Sequence, residues 1–217
     1  MSTVYLVDDD ESVRRALTRM LSEEGLEVHG YESAEAFLAS YQAAMRGCLI
    51  LDVSMPGIDG LELQARLRAA GASLSIVFLT GHGDVPMTVR ALKRGAADFL
   101  LKPVPADALI VAVREALIQN EAAHRHESER AEIARSFATL STREREVLTL
   151  LVKGKINKQI ADELGVVEQT VKFHRARIMR RMRARTVAEL MHMTARLGVC
   201  AGVEPHPALD RPQGIGV

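Results

Sequence analysis

The sequence has no long hydrophobic run and few cysteines, and each absence excludes a class of protein. No apolar stretch approaches the roughly 18 residues that a membrane span requires, and the first residues lack the basic segment that opens a signal peptide. We therefore expect a cytoplasmic protein with no membrane partner. Cys48 and Cys200 are the two cysteines, without histidine or cysteine at ligand spacing, which argues against a disulfide framework and a zinc site.

The chain also lacks net charge, but its two ends differ in charge. Its 217 residues, 47% apolar and 26% charged, suit one large globular domain or two small ones. Residues 1–120 contain 16 acidic against 11 basic residues, whereas residues 141–217 contain 8 against 14. The basic C-terminal third predicts a polyanionic partner such as nucleic acid, and the acidic first half predicts a cation site or a solvated surface.

Short β-branched runs alternate with amphipathic stretches in the first half of the chain. The predicted strands are residues 3–7, 26–30, 48–51, 74–79 and 97–100. Their alternation with helices predicts an α/β domain with a doubly wound, five-stranded parallel sheet. Because such a sheet binds its ligand beyond the carboxyl ends of the strands, the residues that follow each strand are the candidates for a site.

Acidic and donor side chains follow four of these strands. Asp8 and Asp9 follow the first strand and Asp52 the third, while the fourth strand ends at Thr80 and the fifth leads to Lys102. Carboxylates this close repel one another unless a hard cation such as Mg²⁺ lies among them. With a hydroxyl and an ammonium as donors, the site has the parts of phosphoryl transfer to a carboxylate, which would form an aspartyl-phosphate.

The same strand ends resemble the receiver domain of a two-component response regulator. The stretches are Val7-Asp8-Asp9, Leu51-Asp52-Val53-Ser54-Met55-Pro56-Gly57, Thr80-Gly81-His82-Gly83-Asp84-Val85-Pro86 and Lys102-Pro103. The Gly-His-Gly-Asp-Val-Pro stretch is most similar to the FixJ branch. The resemblance covers residues 1–120 and implies a flavodoxin-like sheet in strand order 2-1-3-4-5.

The resemblance also implies a role for each residue of the site. Asp52 would accept the phosphoryl group, Thr80 would donate a hydrogen bond to it, Lys102 would pair with it, and Phe99 would move as an aromatic switch. The implied ligands of Mg²⁺ are Asp8, Asp9, Asp52 and the backbone carbonyl of Ser54. The plainer alternatives are that aspartates at strand ends cap the following helices and that a phenylalanine belongs to the core.

Residues 106–135 contain no proline or glycine and predict a helix that continues past the first domain. The part beyond Gln119 is polar, and we place a helical linker at residues 121–139. This linker is either an arm that transmits motion or pairs with a second copy, or a plain spacer. The sequence leaves both possibilities open.

The C-terminal region predicts a helix-turn-helix. Ser141 and Glu144 form a capping box that opens one helix. A short helix then ends at Gly165, and a basic helix follows over residues 168–185. A short helix, a turn and a basic helix are typical of a unit whose second helix enters the major groove of double-stranded DNA.

Three stretches of this region resemble the LuxR-type, or NarL-type, DNA-binding domain. They are Leu140 to Val147, Asn157 to Ala161 and Thr170 to Met182. The resemblance covers residues 140–197 and implies an all-α domain of four helices, the last at residues 186–197. Base edges would face Lys172, Phe173 and Ala176. Phosphates would lie near Lys158, Gln169, Thr170, His174, Arg175, Arg177 and Arg180.

One residue departs from the family pattern at the start of the recognition helix. Val167 stands where the family usually has Ser or Thr, and the missing side-chain cap should cost about 1 kcal/mol. The tail from residue 198 is rich in proline and glycine and is expected to be disordered.

Together the two resemblances imply a transcription factor rather than an enzyme in its own right. A sensor histidine kinase would phosphorylate Asp52 in the presence of Mg²⁺, and the protein would then form a homodimer that binds promoter DNA and contacts RNA polymerase. The alternatives are a phosphohydrolase with an aspartate nucleophile and a LuxR-type factor that senses a small ligand. Such hydrolases usually carry a second aspartate where this chain has Ser54. The sequence identifies neither the kinase, the signal, the operator nor the direction of regulation.

Overall fold

The computed structural model describes residues 2–81 and 85–198 of the chain. The described residues form two compact units, which divide between residues 126 and 127. The His82-Gly83-Asp84 part of the receiver-like motif, Cys200 and all but the first residue of the predicted tail lie outside the described residues. None of the helices in residues 2–81 and 85–198 combines the length and hydrophobicity that a membrane span requires.

The first unit alternates strands with helices. Its strands are β1 (Thr3–Val7), β2 (Glu27–Tyr31), β3 (Cys48–Leu51), β4 (Ser75–Thr80) and β5 (Asp98–Leu101). Its helices are α1 (Glu11–Glu23), α2 (Ala34–Ser40), α3 (Gly60–Ala69), α4 (Val85–Lys93) and α5 (Ala106–Ala138), of which the last continues into the second unit. Strands β2, β4 and β5 each begin and end one residue later than predicted.

The five strands form one parallel sheet in the order β2-β1-β3-β4-β5, as the resemblance predicted. The side chains of β1 and β3 alternate between two buried clusters, one on each face, so that both faces are covered by helices. In the register of the sheet Val7 pairs with Leu51, which brings the carboxyl ends of β1 and β3 side by side. The residues that follow these strands are therefore neighbours.

Local capping fixes where the helices begin. The Asp10 carboxylate accepts hydrogen bonds from the backbone N–H groups of Ser12 and Val13, at 2.7 and 3.3 Å, and so caps α1. Asp59 caps α3 in the same way, through the N–H of Glu62 at 2.7 Å. Asp10 thus has the plain capping role, which separates it from the neighbouring aspartates.

The second unit is helical around a core of its own. Its further helices are α6 (Thr142–Val152), α7 (Asn157–Leu164), α8 (Glu168–Met182) and α9 (Val187–Arg196). The end of α5 joins this core through Ile133. The predicted capping box is present, and Gly165 ends α7 in the left-handed conformation, with φ of 63°.

Helix α8 is three residues shorter than predicted. Arg183 adopts the left-handed conformation, with φ of 57°, and its N–H bonds back to the carbonyls of Met179 and Arg180. This closure ends the helix at Met182, a position that a run of good helix-forming residues does not reveal. The domain boundaries at residues 120, 140 and 197 stay predictions, since the two units meet inside the single helix α5.

Candidate functional site

Three carboxylates converge at the carboxyl ends of β1 and β3. Asp8, Asp9 and Asp52 each offer an oxygen, and these oxygens lie within 4.8 Å of one another. Asp8 and Asp52 are buried, whereas Asp9 is exposed. Oxygen donors at this spacing, open to solvent on one side, fit a divalent cation that keeps some of its waters, as Mg²⁺ does.

Lys102, in the loop after β5, neutralises part of this charge. Its Nζ lies 2.5 Å from Oδ2 of Asp8 and 3.0 Å from Oδ2 of Asp52. Burial disfavours the charged ammonium, but the hydrogen bonds to the two carboxylates outweigh it and raise the pKa of Lys102. Burial also raises the pKa of Asp8, against the hydrogen bond from Lys102. A cation bound here would compete with Lys102 for the same oxygens.

The backbone holds the buried carboxylates in place. The N–H of Asp10 donates to Oδ1 of Asp8 at 3.0 Å, and the N–H of Ser54 donates to Oδ1 of Asp52 at 3.2 Å. Gly60, the first residue of α3, packs against this turn so closely that a Cβ there would lie 2.2 Å from the carbonyl oxygen of Asp52. The turn after β3 thus has little freedom to move.

The remaining residues predicted for this site lie on β4 and β5. Thr80 is fully buried, and its carbonyl accepts a hydrogen bond from the N–H of Lys102 at 2.8 Å. Phe99 is half-buried, and its ring centroid lies 5.8 Å from that of Phe78. The geometry therefore joins Asp8, Asp9, Asp52 and Lys102 directly, whereas a hydroxyl contact of Thr80, a switching role for Phe99 and a Ser54 carbonyl ligand stay predictions.

In the second unit, the exposed residues of the predicted recognition helix α8 lie on one face. They are Glu168, Gln169, Lys172, Phe173, Ala176 and Arg180. All three predicted base readers belong to this set. Phe173 is 57% exposed as a residue, which does not suit a core role and does suit contact with a base edge. Lys158, on α7, is also exposed.

Several predicted phosphate contacts already have partners within the protein. Arg175 donates to Oδ1 of Asn157 at 2.6 Å, and the Arg177 guanidinium lies 5.4 Å from the Phe173 ring centroid. Lys172, which was predicted to face a base edge rather than a phosphate, pairs with Glu168, with Nζ 3.3 Å from Oε1. His174 and Thr170 are half-buried. Contact of these residues with DNA stays a prediction.

Both halves of the chain match known families. Residues 4–114 match the model of the response regulator receiver domain, and residues 138–194 match that of bacterial regulatory proteins of the luxR family. The chain is 45% identical to the transcriptional regulatory protein FixJ of Azorhizobium caulinodans over 94% of this chain and 97% of that protein. It belongs to the response regulators with a LuxR-type DNA-binding domain. This response regulator is thus a transcription factor, as its two domains predicted.

Other relatives match over most of the chain. Nodulation protein W of Bradyrhizobium diazoefficiens is 44% identical over 91% of this response regulator and 87% of its own length. Among solved structures, the response regulator StyR is similar with a TM-score of 0.82 and 43% identity, over 90% of this chain and 98% of that one. Full-length FixJ from B. japonicum has a TM-score of 0.57 and 39% identity, over 91% and 97%.

Sequence reasoning missed one set of contacts in this response regulator. Glu144 is buried, with 2% of its side chain exposed, and pairs with two arginines of the recognition helix. Its Oε1 lies 3.3 Å from Nε of Arg177, and its Oε2 lies 2.9 Å from Nη1 of Arg181. The capping box identified Glu144 as a partner of Ser141, but no spacing rule links it to arginines more than 30 positions away.

Proposed function

We propose that phosphorylation of Asp52 by a sensor histidine kinase switches this response regulator into a dimer that binds promoter DNA. The observation that carries the proposal is the state of the Asp52 carboxylate. It is 7% exposed, and its two oxygens accept from the Ser54 N–H and the Lys102 ammonium, beside two further carboxylates. Such a group is positioned and partly neutralised, which suits a carboxylate nucleophile.

The residues of the pocket divide the chemistry among them. A carboxylate oxygen of Asp52 attacks the phosphorus of a phosphohistidine, so that a P–O bond forms as the P–N bond breaks and the histidine leaves. Asp8, Asp9, Asp52 and the Ser54 carbonyl would hold Mg²⁺, which would neutralise charge on the phosphoryl oxygens when bound. Lys102 keeps its proton, since its pKa is raised, and follows the new negative charge as its counter-ion.

A shift of Lys102 toward the phosphoryl group would carry the change at Asp52 to the surface of the receiver. Lys102 and Thr80 are joined by a backbone hydrogen bond, so a contact of either with the phosphoryl group displaces the ends of β4 and β5 together. Exposed apolar side chains lie on α4 and β5 close by. They are Val85, Val89, Leu92 and Leu101, each at least 41% exposed. An apolar surface of this kind supports pairing with a second copy of the chain.

A pair of receivers would bring two recognition helices to neighbouring half-sites, about one helical turn of DNA apart. The exposed face of α8 supports this step, because Phe173 and Ala176 offer apolar contact beside the donor Lys172. RNA polymerase is proposed as a further partner, since a transcription factor acts through it. A cytoplasmic location is part of the same proposal, since promoter DNA would be met there.

Labelling with acetyl phosphate and Mg²⁺ tests the phosphoacceptor role. We expect slow labelling that reaches one phosphoryl group per chain, and its loss in Asp52→Asn. Asp59→Asn is the matched control, because Asp59 is an exposed helix cap outside the pocket and asparagine caps as well as aspartate. Sustained release of phosphate would favour the hydrolase instead, and the absence of any labelling would favour a sensor of a small ligand.

Binding of promoter DNA tests the recognition helix. Lys172→Ala should weaken specific binding by about 1 to 3 kcal/mol if its ammonium contacts a base edge. Lys153→Ala is the control, since Lys153 is exposed at the end of α6 and outside the helix-turn-helix. Titrating the protein with the operator duplex and with a scrambled duplex shows whether Lys172 contacts a base edge or a phosphate. Equal weakening on both duplexes would make Lys172 a phosphate contact, and no weakening would remove it from the interface.

A further inference from the structure

A basic groove runs between α3 and α4, on residues that the proposed phosphoacceptor site does not use. Two cavities of about 500 and 290 Å³ share Gln64, Arg68 and Arg94 in their linings and therefore lie side by side along this groove. Apolar residues line one end of it. They are Leu67, Ala72, Leu74 and Ile76. The volume is in the range of sites that bind small molecules.

The charge of this groove is of one sign. Arg68, Lys93 and Arg94 line it, all three are exposed, and no carboxylate does so. None of the three has an acidic partner within 4.0 Å among residues 2–81 and 85–198. By contrast, Arg66, on the same helix as Arg68, pairs with Glu62. Three unneutralised cations in an otherwise acidic domain create a local positive potential that an anion would relieve.

Gln64 adds a second and independent observation. Its side chain is buried, with 2% of the residue exposed, and its Nε2 donates to the carbonyl of Ala91 at 3.1 Å. Its Oε1 is also buried and has no hydrogen-bond partner among the described residues. A buried acceptor without a partner is unfavourable. Because this oxygen has almost no accessible surface, a ligand donor would gain the hydrogen bond by drawing the Gln64 side chain toward the groove.

A purely structural role explains only part of this arrangement. Arg68 donates to the carbonyl of Arg94 at 2.5 Å, and so caps the end of α4. That contact accounts for Arg68. It accounts neither for the positions of Lys93 and Arg94 at the cavity nor for the unpartnered Oε1 of Gln64.

We propose that this groove binds a nucleoside phosphate. The phosphates would pair with Arg68, Lys93 and Arg94, a ribose hydroxyl or a base N–H would donate to Gln64, and the base would cover the apolar end. Because the cations belong to two helices, the ligand would tie α4 to α3. Helix α4 begins five residues after Thr80, so a nucleotide would bias the element that phosphorylation is proposed to move.

Calorimetric titration of the full chain with ADP, GDP, CDP and UDP, and with inorganic pyrophosphate, tests the proposal. EDTA is present, so that the acidic pocket cannot hold a nucleotide through a metal. We expect saturable 1:1 binding of at least one nucleotide, with pyrophosphate weaker. Arg94→Ala should weaken binding about tenfold or more, as loss of a charge-assisted contact does. Arg90→Ala, the same change one turn earlier on α4 and outside the cavity lining, should leave binding unchanged.

Gln64→Leu separates the nucleoside from the phosphate. We expect it to weaken nucleotide binding but not pyrophosphate binding, with tyrosine fluorescence confirming that the first unit is folded. Equal binding of pyrophosphate and every nucleotide would overturn the assignment of a nucleoside. The site itself is overturned if no nucleotide gives saturable binding, or if Arg90→Ala weakens binding as much as Arg94→Ala.

Discussion

The buried Glu144 carboxylate joins the start of α6 to the recognition helix, and Glu144→Gln should therefore destabilise the DNA-binding unit. Glutamine keeps the shape of the side chain. Its amide oxygen can still accept the hydrogen bond that the Ser141 N–H donates to Glu144 at 2.8 Å. It removes the charge that pairs with Arg177 and Arg181. Breaking a fully buried pair is unfavourable by about 3 to 5 kcal/mol, and losing an exposed pair by about 0 to 1.

This pair lies between those limits. The Glu144 side chain is 2% exposed, but those of Arg177 and Arg181 are 38% and 32% exposed and can turn toward water. We expect Glu144→Gln to lower the free energy of unfolding by about 2 kcal/mol. For a unit of this size the denaturant slope is about 1 kcal/mol per molar urea, which corresponds to a midpoint about 2 M lower.

The positions of the tyrosines make the assay specific. All three, Tyr5, Tyr31 and Tyr41, lie in the first unit, and the chain has no tryptophan. Tyrosine fluorescence therefore follows the receiver, whereas far-UV circular dichroism follows both units. Glu144→Gln should move the dichroism transition and leave the fluorescence transition in place. Unchanged dichroism, or equal movement of both signals, would refute a local role for the pair.

The effect should also depend on pH in a direction that the structure fixes. Burial disfavours the carboxylate, but hydrogen bonds from Ser141 and the charges of Arg181 and Arg177 outweigh it and hold the pKa of Glu144 below its ordinary 4.5. A lowered pKa in the folded state adds stability above the ordinary value, and that stability disappears as the pH falls through the folded-state pKa. The difference in the free energy of unfolding between wild type and Glu144→Gln should thus have its full size at neutral pH. It should become smaller only as the pH falls below the ordinary pKa of 4.5. A difference that grows on acidification would contradict the pairing.

Two further substitutions test local geometry. Val167→Ser should stabilise the second unit by about 1 kcal/mol, because the backbone at this N-cap is extended and no side chain caps α8; a dichroism midpoint no higher than wild type would contradict this. Gly60→Ala should destabilise the receiver by about 1 to 3 kcal/mol, because the added Cβ would lie 2.2 Å from the Asp52 carbonyl oxygen and 3.0 Å from Cα of Val53. An unchanged tyrosine transition would show that α3 can shift at no cost.

The sheet could be predicted because its signals are local. Four of the five strands of the first unit are mostly apolar runs, whereas β2 contains Glu27 and His29. The meeting of the side chains at the ends of β1 and β3 follows because parallel strands end at one edge of the sheet. The end of α8 could not be predicted in the same way. Arg183 closes the helix in a conformation that glycine usually adopts, and nothing in the surrounding residues marks it.

The residues of the candidate site could be predicted for the same reason as the sheet, whereas the contacts of one buried residue of α5 could not. The meeting of Asp8, Asp52 and Lys102 could be predicted, because each follows its own strand in one sheet. The buried anchor of α5 could not. The Asn120 side chain accepts from the N–H of Gly47 at 2.9 Å and donates to the carbonyl of Ser73, which joins α5 to the loops before β3 and β4. Those contacts span about 50 to 70 residues, and a polar residue near the middle of a long helix gives no sign of them.

The basic recognition helix illustrates why charge in a sequence overstates charge available to a ligand. Its arginines favour a polyanion by number alone, yet Arg177 and Arg181 share the Glu144 carboxylate, and Arg183, directly after the helix, pairs with Glu132 at 3.0 Å. These acids come from α6 and α5, so only the folded unit reveals them. The guanidinium groups held in this way orient α8, and DNA would meet chiefly the cations on its exposed face. There Lys172 pairs with Glu168 in water, a contact worth about 0 to 1 kcal/mol, so binding a base edge would displace it at little cost.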